Sequence, residues 1–216
     1  NLDHGTDFAV TVDGMPVNMP SHGHGQGYAD LNFLIPDLVS GMRYRKGPYF
    51  ADGGDFSLAG SASLDYFSAL PAPFAEVTLG ANNLRRLLAA GSSTQDDHTW
   101  LGAIELEGND GPWDVPERLR KVNAVVRYSQ GSPVRGFSVT GMAYRSRWNA
   151  TDQIPERLVN SGELPLFGSM NPTDGGNTRR LSLSGKWFDN GPSGQTQVSA
   201  YLIGYRFDLF SDFTYF

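Results

Sequence analysis

The chain has 216 residues, a formal net charge of -6 and no cysteine. Disulfide frameworks and thiolate metal centres are therefore excluded, and an acidic chain without a block of Lys and Arg does not suit a nucleic-acid backbone as its main partner. No apolar run approaches the roughly 20 residues of a membrane helix, yet membrane β-strands stay open, because their alternation of lipid-facing and lumen-facing residues keeps hydropathy low.

The opening residues Asn1-Leu2-Asp3-His4-Gly5 lack the charged and then apolar pattern of a signal peptide. Short β-like runs follow, beginning with Phe8-Ala9-Val10-Thr11-Val12, and glycine-rich turns separate them at Asp13-Gly14, at 22–27 and at Asp52-Gly53-Gly54-Asp55. This part reads as a compact α+β unit with few helices. Within it, Ser21-His22-Gly23-His24-Gly25-Gln26-Gly27-Tyr28 places two imidazoles one residue apart. Three readings fit that stretch: a metal site completed by Asp13, Asp30 or His4, a contact for substrate, or a polar turn whose glycines set its backbone.

Two prolines in Leu70-Pro71-Ala72-Pro73 mark a change of style, and the domain boundary is expected there, giving units 1–70 and 71–216. Beyond it, strands are expected over 74–81, 84–92, 98–107, 118–129, 134–147, 178–188 and 195–209. The stretch 82–90, with Leu84, Arg85, Arg86, Leu87, Leu88 and two alanines, has helix-forming composition and is read as strand from its context. Glu105 and Glu107 alternate with Ile104 and Leu106, which fits carboxylates lining a wet strand face better than a general acid and base pair. Val122, Ala124, Val126 and Tyr128 oppose Lys121, Asn123, Val125 and Arg127. Leu181, Leu183, Gly185 and Trp187 oppose Arg180, Ser182, Ser184 and Lys186, while Tyr201, Ile203, Tyr205, Phe207 and Leu209 alternate with Ala200, Leu202, Gly204, Arg206 and Asp208.

The connections also alternate. Those around 131–133 and 190–194 are tight, whereas 108–117 and 148–176 are long, the asymmetry of short periplasmic turns and longer extracellular loops. A soluble antiparallel sandwich or barrel shows similar alternation. The segment 148–176 exceeds the roughly 15 residues usual for a structureless connection, so it is expected to be functional or disordered. Asn149-Ala150-Thr151 matches a glycosylation sequon, a pattern too frequent to carry weight.

Three words in the first unit resemble, in order and spacing, the plug of TonB-dependent outer-membrane receptors. They are Val10-Thr11-Val12-Asp13-Gly14-Met15-Pro16-Val17-Asn18, a strand, an Asp-Gly turn and a strand; Ile35-Pro36-Asp37-Leu38-Val39-Ser40-Gly41-Met42-Arg43-Tyr44-Arg45-Lys46-Gly47-Pro48, a strand entering a basic-Gly-Pro turn; and Asp52-Gly53-Gly54-Asp55-Phe56-Ser57-Leu58-Ala59-Gly60-Ser61-Ala62-Ser63-Leu64, a glycine-rich turn and closing strand. Lys46 stands where the family usually has arginine, and a lysine does not reproduce the planar bidentate fork. Beyond residue 70, Gly111-Pro112-Trp113-Asp114-Val115-Pro116-Glu117, Trp148-Asn149-Ala150-Thr151-Asp152-Gln153-Ile154-Pro155 and Asn171-Pro172-Thr173-Asp174-Gly175-Gly176 look similar to outward loops of one subgroup.

The resemblance implies a mainly β chain: the later part of a small α+β plug, then about seven antiparallel strands of an incomplete transmembrane barrel of about 22 strands. It implies location in the bacterial outer membrane and TonB-dependent uptake of a scarce small-molecule ligand, such as a siderophore or other metal chelate. TonB, outer-membrane lipid and that ligand are the implied partners, with no cofactor. His22, His24, Gln26 and Tyr28 are the expected substrate contacts, and Arg43, Arg45 and Lys46 the expected contacts between plug and barrel. The reading also puts Leu181, Leu183, Tyr201 and Ile203 on the lipid side. The final Phe216 is of the kind that ends complete outer-membrane barrels, but Asp212 interrupts the apolar alternation, so a cut within a longer barrel is the simpler reading. Seven strands do not close such a barrel, and the isolated chain is expected to be insoluble or misfolded.

Two rivals come from other classes. One is an extracellular β-sandwich that binds carbohydrate through exposed Trp113, Trp148 and Tyr144; the other is a small metal-dependent enzyme built on His22 and His24. No Gly-x-Ser-x-Gly elbow, phosphate-cradling loop or His-Glu-x-x-His helix is present, and the expectation is that the protein is not an enzyme.

Overall fold

A computed structural model describes residues 7–20, 27–132, 134–192 and 194–212. The chain is mainly β and forms two sheets. The first is four-stranded, in the order β2-β1-β4-β3, from β1 (Phe8–Val12), β2 (Met15–Pro16), β3 (Val39–Lys46) and β4 (Gly60–Tyr66). β1 runs antiparallel to β2 and parallel to β4, and β3 lies antiparallel on the other side of β4. The Asp13-Gly14 turn closes β1 onto β2 with both φ angles positive, 50° and 84°, the geometry a two-residue hairpin requires. A Cβ on Gly14 would stand 2.7 Å from the Ser199 hydroxyl of the second sheet, so glycine also permits the close approach.

The second sheet is a seven-stranded antiparallel meander in which every strand pairs with its sequence neighbour. It comprises β5 (Phe74–Leu79), β6 (Arg85–Gln95), β7 (His98–Asn109), β8 (Leu119–Gly131), β9 (Arg135–Asn149), β10 (Gly175–Gly191) and β11 (Gly194–Phe210). The helix-like stretch at 82–90 is resolved by its turn. Asn82 and Asn83 both take positive φ, 53° and 58°, which ends β5 and starts β6 two residues later. The strand ends joining β6 to β7, β8 to β9 and β10 to β11 lie at one end of the sheet, and the connections 80–84, 110–118 and 150–174 lie at the other.

The longest connection is ordered among these residues rather than structureless. It holds α1 (Glu156–Ser161), which stops where Gly162 takes the left-handed conformation at φ 77° and donates its N–H to the Val159 carbonyl. It also packs on the neighbouring loop: the Trp113 and Phe167 rings are 6.0 Å apart, Asp114 N–H donates to the Phe167 carbonyl at 3.0 Å, and the Ser211 hydroxyl donates to Asp152 at 2.5 Å.

The core lies between the two sheets. Val10, Val12, Met15, Val17 and the 3₁₀ segment with its approach, Phe33, Leu34, Ile35 and Leu38, pack against Leu88, Leu101, Val125, Met142 and Tyr144 of the large sheet. The face of the large sheet turned toward the small one is otherwise polar, with Glu105, Asn123, Arg127, Ser138, Thr140, Ser146, Arg180, Ser182 and Ser184 buried on it. The opposite face is uncovered and apolar: Leu181 is 63 % exposed, Leu183 51 %, Val126 55 % and Leu202 72 %.

One strand reverses the expectation. The register sets Leu183 beside Leu202 and Ser182 beside Ile203, so Tyr201 and Ile203 share the inward face with Ser182 and Ser184, while Leu181 and Leu183 lie outward. Ile203 packs against the core between the sheets. The physical reason is that β11 carries apolar residues at both parities, so alternation gives no sign; the aromatic set is held inward by Tyr28, which meets Tyr205 and Phe207.

Candidate functional site

The seam between the sheets is where the sequence concentrates buried charge. Asp13, held at the tip of the β1–β2 hairpin, pairs with Arg127 of β8 with both side chains almost fully buried. Arg127 also donates to the Ser138 hydroxyl of β9 at 3.4 Å. The Asp13 backbone N–H donates to the Leu64 carbonyl at 2.9 Å, fixing the turn to β4. Burial pushes the Asp13 carboxyl up from the usual carboxylate range, against the opposing pull of the Arg127 guanidinium.

A second tether joins the segment before β3 to the wall. Arg86 of β6 pairs with Asp37 and with Glu105, the latter at 2.7 Å. Glu105 is 1 % exposed. It also receives the Lys121 ammonium at 3.2 Å and a hydrogen bond from Asn123 Nδ2 at 2.9 Å. The same Asn123 nitrogen donates to the Asn32 carbonyl at 3.0 Å. A buried carboxylate with this many donors is one whose desolvation is offset locally. The inward placement of Glu105 and Glu107 agrees with their alternation, and Lys121 bridges them, 2.6 Å from Glu107.

The third point of attachment is aromatic. The Tyr28 ring stacks on Phe207 of β11 at 5.3 Å and lies 6.0 Å from Tyr205, and Trp148 stacks on the same Phe207 at 6.3 Å. Arg180 of β10, buried, lies over the Phe33 ring at 4.3 Å. Tyr28 and Trp148 stand toward the end of the wall with the long connections. Burial raises the pKa of the Tyr28 hydroxyl.

Of the residues expected to contact substrate, His22, His24 and Gln26 lie outside the described residues, and Tyr28 joins the aromatic cluster. The residues expected to link plug and barrel are engaged differently. Arg43 pairs at 2.9 Å with Asp65 of the adjacent β4, and Asp65 in turn faces Lys186 of β10 at 3.8 Å. Arg45 pairs with Asp52 at 2.7 Å and covers Phe50 at 4.6 Å, both within the small unit. Lys46 is exposed and has no ion pair among the described residues. Among the described residues, the ion pairs between the small unit and the wall thus run from Asp13, Asp37 and Asp65 to Arg127, Arg86 and Lys186. Asp13 was legible as a turn residue and as a candidate metal ligand, not as the partner of Arg127. Its partner is 114 positions away, beyond any local signal.

The outward face has its own order. The register aligns Trp100 with Tyr128, Gln130 with Phe137, and Phe137 with Trp187, and the rings touch across strands, Trp100 to Tyr128 at 4.9 Å and Tyr128 to Phe137 at 5.8 Å. This aromatic row borders the apolar face on the side of the short turns. On the other border stand Arg85, Arg120, Arg145, Arg147, Arg179 and Arg206. Eight residues separate Arg120 from Tyr128, Phe137 from Arg145 and Arg179 from Trp187, about 27 Å of extended strand, or roughly 20 Å in height at a tilt of about 45°. Tyr144, expected as an exposed glycan platform, is instead 5 % exposed and faces the small sheet.

These features define a mainly β architecture in which a small folded unit lies against one face of a seven-stranded antiparallel wall. The solved structure of the siderophore receptor PiuA from Acinetobacter baumannii is similar over 94 % of this chain, with a TM-score of 0.71 and 15 % sequence identity. The chain spans 29 % of the length of that receptor. No family model and no curated protein matches the sequence.

Proposed function

We propose that the chain is part of a TonB-dependent transporter of the bacterial outer membrane, in which the small sheet is the later part of the plug and the seven strands are the first part of the barrel wall. One observation carries the reading: the large sheet leaves an apolar face uncovered between an aromatic row and an arginine row, while its polar face holds a folded unit. Such a face in water is an aggregation hazard; against hydrocarbon it is the expected outer surface of a barrel strand. The likeness to a siderophore receptor is consistent with uptake of a small-molecule chelate.

On this reading no covalent chemistry is performed. Cargo binds at the long-loop end, where Tyr28, Trp148, Tyr205 and Phe207 form an aromatic floor, and His22, His24 and Gln26 precede Tyr28 directly in the sequence. TonB, acting through a region outside this chain, pulls on the plug, and release of the small sheet breaks the Asp13–Arg127, Asp37–Arg86 and Asp65–Lys186 pairs and the Asn32–Asn123 hydrogen bond and separates the apolar core between the sheets. Short strands and buried ion pairs suit a unit that is firm at rest and yields as a block. Arg43, Arg45 and Lys46 lie on β3, an edge strand of the small sheet, and in a closed barrel they would meet wall strands beyond this chain.

The test is uptake by cells in which the full-length protein is the sole route for its cargo. Replacing both His22 and His24 with alanine is expected to lower cargo affinity by roughly tenfold, the scale of one or two lost hydrogen bonds, with the protein still in the outer membrane. Unchanged affinity and transport would remove these histidines from the site. Absence of the wild-type protein from the outer membrane would remove the transporter reading itself.

A further inference from the structure

Arg180 is a buried cation that the ion pairs across the seam do not use. It stands on the inward face of β10 at 2 % exposure. Among the described residues its Nε and Nη2 have no hydrogen-bond acceptor, and it makes no ion pair. The wall cations Arg86, Arg127 and Lys186, by contrast, each meet a carboxylate of the small unit. Asp30 acts on Arg180 only from a distance. Its Oδ1 accepts instead from the backbone N–H and Nδ2 of Asn32, at 2.9 and 2.8 Å, closing its own turn. The Phe33 ring covers the flat face of the guanidinium at 4.3 Å, which leaves the N–H groups in the guanidinium plane without an acceptor. A guanidinium stays charged, and a buried charge without a hydrogen-bonding partner is strongly unfavourable. These N–H groups therefore require an acceptor that the described residues do not supply.

The register gathers further donors around the same point. Thr178 and Ser182 flank Arg180 on the inward face of β10, and Tyr205 stands opposite it on β11. The side-chain oxygens of all three are buried, and Ser182 Oγ has no hydrogen-bond partner among the described residues. Successive side chains on one face of a strand stand about 7 Å apart, and threonine and serine are too short to reach across to the guanidinium edge. Met142 and Ile203, the cross-strand neighbours of Ser182, add apolar surface beside Phe33. Water accepts from such N–H groups but brings no charge, whereas a weakly hydrated anion meets both needs at a modest cost of desolvation.

We propose that Arg180 binds a small monovalent anion of halide size, held by Nε and Nη2 and by the hydroxyls of Ser182, Thr178 and Tyr205. The anion completes a further attachment between wall and small unit, because Phe33 lies on the guanidinium and the Tyr28 ring lies 6.0 Å from that of Tyr205. The ties at Arg86, Arg127 and Lys186 carry their own negative partner in the chain. The one at Arg180 takes its negative charge from solution, so the hold on the small sheet follows the anion present. The site is independent of what the outward face of the wall meets and of which cargo is carried.

The experiment uses the full-length protein, crystallised with sodium bromide in place of chloride, with diffraction recorded at the bromine absorption edge. An anomalous peak is expected within hydrogen-bonding distance of Arg180 Nε and Nη2, and is expected to vanish in Arg180→Gln. Density at that point without anomalous signal would mean water and would overturn the site. A peak that appears only at molar bromide would mean an adventitious ion only and would overturn it equally. In solution, limited proteolysis of 7–66 at fixed ionic strength is expected to be roughly threefold slower in sodium chloride than in sodium gluconate, the protection given by a ligand at twice its dissociation constant. Arg180→Gln is expected to be cut at one rate in both salts. Equal rates for the wild type in the two salts would contradict the proposal. The wild-type measurements decide it even where Arg180→Gln does not fold.

Discussion

Replacing Arg127 with leucine is expected to destabilise the docking of the small sheet by about 3–5 kcal/mol, because it leaves a buried carboxylate without its counter-charge. Asp13 is 4 % exposed and sits at a turn with positive φ, so it has no alternative conformation that would bring it to water while keeping the hairpin. Lys186 and Asp65 are its other charged neighbours. Adding Asp13→Asn to the leucine variant is expected to recover most of the loss: asparagine tolerates the left-handed conformation, and removing both charges from a buried pair is far less harmful than removing one. Limited proteolysis of 7–66 in the full-length protein reads the effect, as faster cleavage in Arg127→Leu and near-wild-type cleavage in the double variant. Cleavage unchanged in Arg127→Leu would mean that the pair does not hold the seam.

The second large effect is expected on the opposite face. Leu183→Arg puts a guanidinium in the middle of the apolar band, beside Gly141 and Leu202, and should cost about 2–4 kcal/mol if that band faces hydrocarbon. The measured quantity is the fraction of full-length protein in the folded, heat-modifiable form after assembly, which should fall sharply. If the face were in water, an exposed leucine replaced by arginine would shift stability by no more than about 0.5 kcal/mol, and the fraction would not change. The substitution thus separates a membrane wall from a soluble sheet.

Much of the large sheet was legible because its strands obey a local rule. The expected strands 118–129 and 134–147 became Leu119–Gly131 and Arg135–Asn149, and the inward set Asn123, Val125 and Arg127 is the one opposed to Val122 and Val126 in the sequence. Turn chemistry located the hairpin at Asp13-Gly14, whereas Asn82-Asn83 was read within a helix-forming stretch and shows its turn only through its positive φ angles. Where the rule has no sign, the reading failed: β11 alternates between two apolar sets, and only Tyr28, Phe207 and the core contact of Ile203 decide which faces in. The helix at Glu156–Ser161 is six residues long, too short to show a period.

The seam was the least legible part. Asp13 with Arg127, Asp37 with Arg86 and Asn32 with Asn123 are pairs between the two sheets, separated by 114, 49 and 91 positions. No motif marks such pairs, since each member has a local reading of its own: Asp13 as a turn residue, Arg127 as a polar strand position. The arginine row, by contrast, was present in the sequence as single residues on successive strands. It becomes a row only once register is known, because one slip in pairing moves each side chain to the other face.

The chain has no cysteine, so single cysteines can be placed at 181, 182, 183 and 184 of the full-length protein, after replacing any outside this region, and spin-labelled in bilayers. Collision rates with oxygen, which concentrates in lipid, and with a water-soluble nickel chelate then report the surroundings of each position. The account predicts high oxygen and low nickel accessibility at 181 and 183, and low oxygen accessibility at 182 and 184, which lie under the small sheet. Labels at 181 and 183 that meet the nickel chelate freely would place that face in water and contradict it.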